Sequence, residues 1–377
     1  MFILVFIYLS LLLFKVLSAK KYIRNFNVPI KNVDQKKISI LQPILSGDPQ
    51  LAKTLEGNIV NFPQCEFIWL VDKKDKVAQQ IVSEIKAQYP EVLVDRQLYD
   101  EAPDGVNPKI FKLEQARKLC RRDICVVLDD DTVLSKKGLA ALVEALGTHQ
   151  LSTGLPVYRE GNNLPSKLLA QFVNNNSALT YLSVLPYMEP LSINGMCYAI
   201  NRQVLDSYGG FEPIMYYLTD DLAFANHVQK NGGKICQTPF VQEVETNISR
   251  ISVYMQQMHR WYLFATLLMQ RQTIVTNLII TLLHGSPSLL MWSIAIDFLT
   301  YPSVFGVLIF LFMLTARWYL LLSIQKNINQ RSGNYFVISV ISELLQPLHL
   351  VHACLVRKIK WRTRYYRVYD NNNFVKV

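Results

Sequence analysis

The chain has 377 residues, half of them hydrophobic and only 18% charged, with a formal net charge of +10. So low a charge content argues against an ordinary soluble protein and for membrane segments. A basic excess suits nucleic acid or an anionic membrane surface. Here it follows hydrophobic stretches, as Lys20, Lys21 and Arg24 and then Arg357, Lys358, Lys360, Arg362, Arg364 and Arg367, and no zinc finger or nucleic-acid-binding motif is evident, so the membrane is favoured.

Residues 1–18, MFILVFIYLSLLLFKVLS, are almost all apolar and long enough to cross a bilayer as a helix. Without a positive n-region, and with Lys15 inside, the segment reads as an anchor over 1–19, not a cleaved signal. The basic residues after it place the next segment on the cytoplasmic side.

Residues 36–262 read as a globular α/β domain. KISILQPIL (Lys37 to Leu45) is a β-rich run, and FIWLVD (Phe67 to Asp72) is a continuous apolar strand ending in acid. A helical stretch from Lys76 to Pro90, the strand-like VLVDRQLY, a loop with Gly and Pro and a second helical stretch from Pro108 to Leu119 lead to ICVVLDDD. Strands alternating with helices predict βαβ units and a mostly parallel sheet, with ligands at the carboxyl ends of the strands.

The run VVLDDDTVLS puts Asp129, Asp130 and Asp131 side by side where a strand ends. Neighbouring carboxylates repel. Mg²⁺ or Mn²⁺ would relieve the repulsion, since both favour oxygen ligands and often combine one or two carboxylates with nucleotide phosphates. In an extended chain Asp129 and Asp131 would face one way and Asp130 the other. The other reading is an acidic turn with Asp131 or Ser135 capping the next helix.

From Thr273 the chain is hydrophobic again, with candidate spans at 274–296, 303–323 and 335–356 in a membrane region over 273–356, and a basic tail over 357–377. The loop between the last two carries Lys326 and Arg331. With a cytoplasmic domain, the first two spans leave and return. A crossing at 335–356 would put the basic tail outside, against the positive-inside tendency, and would bury Glu343, Gln346, His349 and His352 in lipid. An interfacial or re-entrant helix is expected there; His349 and His352 are read as structural, and the six cysteines, with no C-x-x-C pair, mostly as buried small hydrophobes.

Two more features follow the acidic run. YLTDDLAFA places Asp220 and Asp221 at a helix start, and QQMHRW holds Gln257, Arg260 and Trp261 in a Q-x-x-R-W pattern. Alone, each has a plain reading, as a helix cap and as an interfacial anchor. In order they resemble the D, D, D, Q-x-x-R-W signature of GT-A-fold processive and lipid-linked glycosyltransferases, and more closely the ceramide glucosyltransferase family and its bacterial relatives, hopanoid sugar transferases among them. FIWLVDKKD (with Asp72 and Asp75), GVNPKIFKL, TGLP, NGMCYAINRQVLDSYGGF and the terminal KWRTRYYRV match further family segments.

The resemblance implies a GT-A nucleotide-sugar-binding domain with a mostly parallel sheet and transmembrane helices at both ends. It implies an integral membrane enzyme with a cytoplasmic catalytic domain, in a bacterial inner membrane or in Golgi or ER. It would move a hexose from a UDP-sugar to a membrane lipid hydroxyl, with inversion. Asp129 and Asp131 would hold the metal. Arg260 would meet the diphosphate, and Asp72, Asp75, Gln257 and Trp261 would form the donor pocket. Lys109 would contact the pyrophosphate or the nucleoside, or is simply solvent-exposed. Asp221 would be the general base, with Asp220 as neighbour and fallback.

Two departures bear on the substrate. Family members using ceramide tend to carry a His in the segment matching FVNNNSALTYLS, where this chain has Ser177 and no His. The triple Asp is also more acidic than is common there, which favours a full metal pair. A processive polysaccharide synthase and a catalytically dead membrane scaffold are the alternatives.

Overall fold

The computed structural model describes residues 1–28, 32–245, 247–328, 333, 335–361 and 364–377; Arg331 and Arg362 lie outside them. Two compact units are present. One comprises Asn27–Arg159, Glu189–Asn247 and Lys360–Val377, the other Met1–Phe26, Glu160–Met188 and Ile248–Ile359.

The first unit is built on a sheet of β1 (Ile38–Ile44), β2 (Glu66–Asp72), β3 (Val94–Tyr99), β4 (Ile124–Leu128), β5 (Thr132–Val133), β6 (Leu151–Tyr158), β7 (Cys197–Asn201) and β8 (Ile235–Val244), in the order β3-β2-β1-β4-β7-β6-β8-β5. The contiguous strands β3, β2, β1 and β4 are parallel, as is the pair β6–β8, while β7 and β5 run antiparallel to their neighbours. Phe67, Ile68, Trp69, Leu70 and Val71 of β2 are all fully buried, so the unbroken apolar run reflects a strand covered on both faces. The cover comes from α2 (Leu51–Asn61), α3 (Lys76–Gln88), α4 (Pro108–Arg117), α5 (Lys136–Ala145), α7 (Arg202–Ser207) and α8 (Asp220–Lys230). Because β1, β2 and β4 point the same way, Leu45, Asp72 and Asp129 follow or close strands at one edge. A small sheet of β9 (Lys358–Trp361), β10 (Arg364–Asp370) and β11 (Asn373–Lys376) ends the chain.

The second unit is helical. It contains α1 (Phe2–Asn25), α6 (Leu164–Tyr181), α9 (Ile251–Met269), α10 (Ile274–Ile280), α11 (Ser286–Thr300), α12 (Val304–Asn327) and α13 (Phe336–Leu355); a π-helical turn, Thr281–Gly285, joins α10 to α11. Four stretches, Phe2–Asn25, Ile274–Thr300, Val304–Asn327 and Phe336–Leu355, are long and apolar enough to cross a membrane. Several of their charged and polar residues are paired internally, which suits a medium without water. Arg317, 1% exposed, donates to Glu343 at 2.7 Å and to Ser339 at 2.8 Å, and Tyr8 donates to Glu343 at 2.9 Å. Lys15 donates to the carbonyl of Leu283 at 2.8 Å.

The helix expected over 1–19 runs on to Asn25, so Lys20, Lys21 and Arg24 are helical. The soluble stretch expected over 36–262 is continuous in sequence, but Glu160–Met188 and Ile248 onward belong in space to the helical unit. His349 accepts from or donates to the Tyr254 hydroxyl at 3.1 Å and the rings of His352 and His259 lie 4.4 Å apart.

Candidate active site

The acidic run leaves β4 as a turn, so strand alternation does not govern it. Asp130 nevertheless separates from its neighbours. It is 3% exposed, and its carboxylate accepts the N–H of Leu45 at 2.8 Å. The turn is held from several sides. The N–H of Asp129 donates to the carbonyl of Met196 at 2.8 Å. Gln42, which also accepts the Trp69 indole N–H, donates to the Asp129 carbonyl at 3.3 Å. Buried Asn58 of α2 donates to the carbonyl of Thr132 and accepts the N–H of Leu134, both at 2.9 Å. Ser135 caps α5, its hydroxyl accepting the N–H of Gly138 at 2.9 Å. Ser135 thus caps the next helix, and Asp129 and Asp131 stand as carboxylates on a braced turn.

Asn107 starts α4 by accepting the N–H of Lys109 at 3.0 Å and of Ile110 at 3.3 Å, with Pro108 at the first helical position. This aims Lys109 at the aspartates. Its ammonium lies 2.8 Å from Asp129 and 3.3 Å from Asp220, and it donates to the carbonyl of Gly195 at 2.9 Å. Burial disfavours the charge, but the two carboxylates outweigh it and hold the lysine pKa well above its ordinary value. Lys109 is thus a partly buried cation joining two of the expected acidic residues, and not an exposed lysine.

Asp220 and Asp221 open α8. Burial, then the neighbouring charge of Asp220, pushes the Asp221 carboxyl up to about 7. A Cβ on Gly195 would lie 3.2 Å from the Asp221 Cβ, so a side chain there would press on Asp221.

Asp72, ending β2, pairs with Lys112 at 3.0 Å and with Arg364 at 3.5 Å. Asp75 caps α3, accepting the N–H groups of Ala78 at 3.0 Å and Ser46 at 2.8 Å. Burial works against ionisation, but these donors hold its carboxyl below the usual range. Lys112, Arg364 and Gly195 were not among the residues expected from sequence. Only Lys112 carried a local signal, one turn beyond Lys109.

Gln257, Arg260 and Trp261 lie together on α9 in the helical unit. Arg260 donates to Gln257 at 2.9 Å, and Trp261 stacks on Phe172 with ring centroids 6.1 Å apart. Ser177 is buried on α6.

Among the described residues no group of three or more His, Cys, Asp or Glu is placed to hold a metal. Asp129 and Asp131 offer two hard oxygen ligands. That donor set fits an Mg²⁺ or Mn²⁺ that completes its shell with diphosphate and water.

Comparison with known proteins places these features. Ceramide glucosyltransferase 1 of Caenorhabditis elegans is 21% identical over 341 residues, spanning 88% of this chain and 71% of the relative. Ceramide glucosyltransferase 3 of the same organism is 22% identical over 343 residues, spanning 88% and 72%. The fold is shared with the mannosyltransferase PcManGT from Pyrobaculum calidifontis, solved in complex with GDP-Man and Mn²⁺, at a TM-score of 0.53 and 15% identity, over 93% of this chain and 98% of that one. Residues 3–374 match glycosyl transferase family 21. The chain, with its acidic strand ends, its aspartate-opened helix and its Q-x-x-R-W helix, belongs to that family of glycosyltransferases.

Proposed function

We propose that the protein transfers a hexose, by default glucose, from a UDP-sugar to the hydroxyl of a membrane lipid, ceramide-like or hopanoid-like, with inversion, giving a β-glycolipid. The observation that carries this reading is the Asp129–Lys109–Asp220 cluster with Asp221 beside it, at the edge where β1, β2 and β4 end. The lipid acceptor is supported by the four apolar stretches and by the named activity of the nematode relatives.

In the reaction the acceptor oxygen bonds to the anomeric carbon as its proton passes to a carboxylate oxygen of Asp221. The sugar–phosphate bond breaks on the opposite face and the nucleoside diphosphate leaves. A base with a pKa near 7 is matched to a neutral medium. Asp129 and Asp131 would hold Mg²⁺ or Mn²⁺, which when bound supplies charge neutralisation for the departing diphosphate. Lys109 keeps Asp129 and Asp220 paired through the cycle. Asp72 and Asp75 would bound the nucleoside pocket, Asp75 by fixing the backbone at Ser46. Arg260 brings a planar, permanent cation suited to phosphate, with Gln257 and Trp261 beside it in sequence.

The test is to incubate purified protein with labelled UDP-sugars and a total lipid extract, and to identify the labelled lipid by mass. Label in a lipid with a β-linked hexose is expected. Label in a growing polymer would make the protein a processive synthase, and UDP binding without turnover of any sugar would make it a scaffold.

A further inference from the structure

The turn that presents Asp220 and Asp221 is gripped from two directions. On one side the Asn107 amide donates to the carbonyls of Tyr217 at 3.0 Å and Leu218 at 3.1 Å. On the other side stands Asn371, 2% exposed, between β10 and β11. Its carbonyl accepts the N–H of Leu218 at 2.7 Å. Its side-chain oxygen accepts both the N–H and the hydroxyl of Thr219, each at 2.8 Å. The carboxylate of Asp370 fixes Asn371 in turn, accepting its N–H at 2.6 Å.

This grip has a consequence one residue on. Thr219 is the N-cap of α8, and a threonine there ordinarily turns its hydroxyl oxygen to an N–H of the first turn. Here the hydroxyl donates to Asn371 and makes no cap bond. The N–H of Leu222 is taken by Asp221 instead, at 2.8 Å. Binding Thr219 elsewhere leaves the first-turn donor to Asp221 and fixes where its carboxylate points. The same terminal segment reaches the donor side of the sheet, where Arg364 pairs with Asp72 at 3.5 Å and with Glu101 at 3.4 Å.

We propose that Asn371 is a positioning residue for the general base: by holding Thr219 it keeps the cap hydroxyl away from the first turn of α8 and orients Asp221 toward the acceptor. The proposal rests on the role given to Asp221 above. Asn371 touches no substrate, and its effect on transfer runs through Thr219.

The test compares Asn371→Ala, Asn371→Asp and Thr219→Val in the full-length protein, reading UDP release from UDP-glucose with lipid extract across pH. Asn371→Ala frees the Thr219 hydroxyl to compete for the Leu222 N–H. It should lower kcat by about 10- to 100-fold and leave KM for UDP-glucose within about twofold, because the nucleotide end is untouched. Thr219→Val, which cannot cap by hydroxyl, should retain more activity than Asn371→Ala. Asn371→Asp keeps an accepting oxygen and should restore most of kcat. It should also shift the acidic limb of the rate profile upward, since it adds a negative charge to a turn whose other ionisable neighbours are Asp220, Lys109 and Tyr198. Hydrogen exchange over residues 217–223 should quicken in Asn371→Ala whatever the substrate is. Wild-type kcat in Asn371→Ala, an Asn371→Asp variant as slow as the alanine with an unmoved limb, or unchanged exchange over 217–223 would each overturn the proposal. Failure of the wild-type protein to release UDP would instead defeat the donor assignment, with the exchange comparison still deciding the contact of Asn371.

Discussion

The ammonium of Lys109 lies 2.8 Å from the carboxylate of Asp129. The two come from consecutive elements, α4 and the turn after β4, and meet because α4 packs over the parallel sheet that β4 joins beside β1. The same ammonium reaches Asp220, so one cation pairs with both acidic elements.

Replacing Lys109 by Met should therefore do more than remove a surface charge. Asp129 and Asp220 would lose a partner where burial makes an uncompensated carboxylate costly. Turnover should fall by about 10²–10³-fold, the scale seen when one preorganised electrostatic contact is deleted. Lys109→Arg, too long and too planar for the same three contacts, should recover it only in part. Steady-state UDP release checks this; wild-type kcat in Lys109→Met would reduce the lysine to a packing residue.

Asp131 carries the metal assignment with Asp129. Asp131→Asn keeps the shape and the Thr132 contact but halves the anionic donor set. Transfer should be abolished and Mn²⁺-dependent UDP binding weakened in calorimetry, while the unfolding temperature stays near wild type. Full activity of the wild-type protein in excess EDTA would sink the metal assignment.

Part of this arrangement was legible in the sequence. Continuous apolar runs ending in acid gave away β2 and β4, because a doubly covered strand tolerates a carboxylate only at its end. The helical stretch beginning at Pro108 marked α4. Asn371, Arg364 and Gly195 were not legible, since each acts on a residue over 25 positions away and looks locally like an ordinary turn or tail residue. The polar run Asn174–Ser177 falls inside the stretch over 36–262 read as the globular domain. It belongs to the helical unit because its amides are answered there, Asn175 by Ser339 and Gln325.

Lys15 illustrates the same point within the helices. Pro287 has no N–H for the carbonyl four residues before it, that of Leu283, and Lys15 donates to that carbonyl. Lys15→Met should cost about 1–3 kcal/mol, the scale of a buried acceptor left unmet. In a Pro287→Ala background the new N–H can serve Leu283, so the cost should shrink by about 1 kcal/mol. Unfolding of the four proteins in detergent gives the cycle, and equal costs in both backgrounds would break the link.

α13 is apolar enough to cross a membrane and pairs with candidate spans, through Arg317 of α12 and Tyr8 of α1. The basic tail after it keeps an interfacial or re-entrant path the expectation, and other partners lie outside the spans. Ser339 meets Asn175 of α6, and His349 and His352 meet Tyr254 and His259 of α9, neither helix being a candidate span. The tail is then expected on the side of the catalytic unit and the N-terminus on the other. A cysteine placed at Val377, with Cys354, the one exposed native thiol among the described residues, changed to Ser, should react with an impermeant maleimide from the catalytic side of sealed vesicles. Reaction only from the opposite side would make α13 a full span.

Asp221 gives the sharpest pH dependence. Its carboxyl is raised by burial first and by Asp220 second, to about 7. As general base it must be ionised, so kcat should climb through about pH 7 and level off above it. Asp221→Asn should remove that limb and lower the plateau by about 10²–10⁴-fold, with little change in donor binding. Asp220→Asn should be milder in rate and should move the limb to lower pH, because it deletes the charge that helps raise Asp221. Stability should follow the opposite sign from activity. A carboxyl whose pKa is higher folded than unfolded contributes stability that is complete below its unfolded value and is lost as pH rises through about 7. Asp221→Asn, which mimics the protonated form, should therefore unfold at a higher temperature than wild type at pH 8 and at nearly the same temperature at pH 4. A limb that stays in place in Asp221→Asn would move the base elsewhere, and Asp220 would be the first residue to test, by the same pair of profiles.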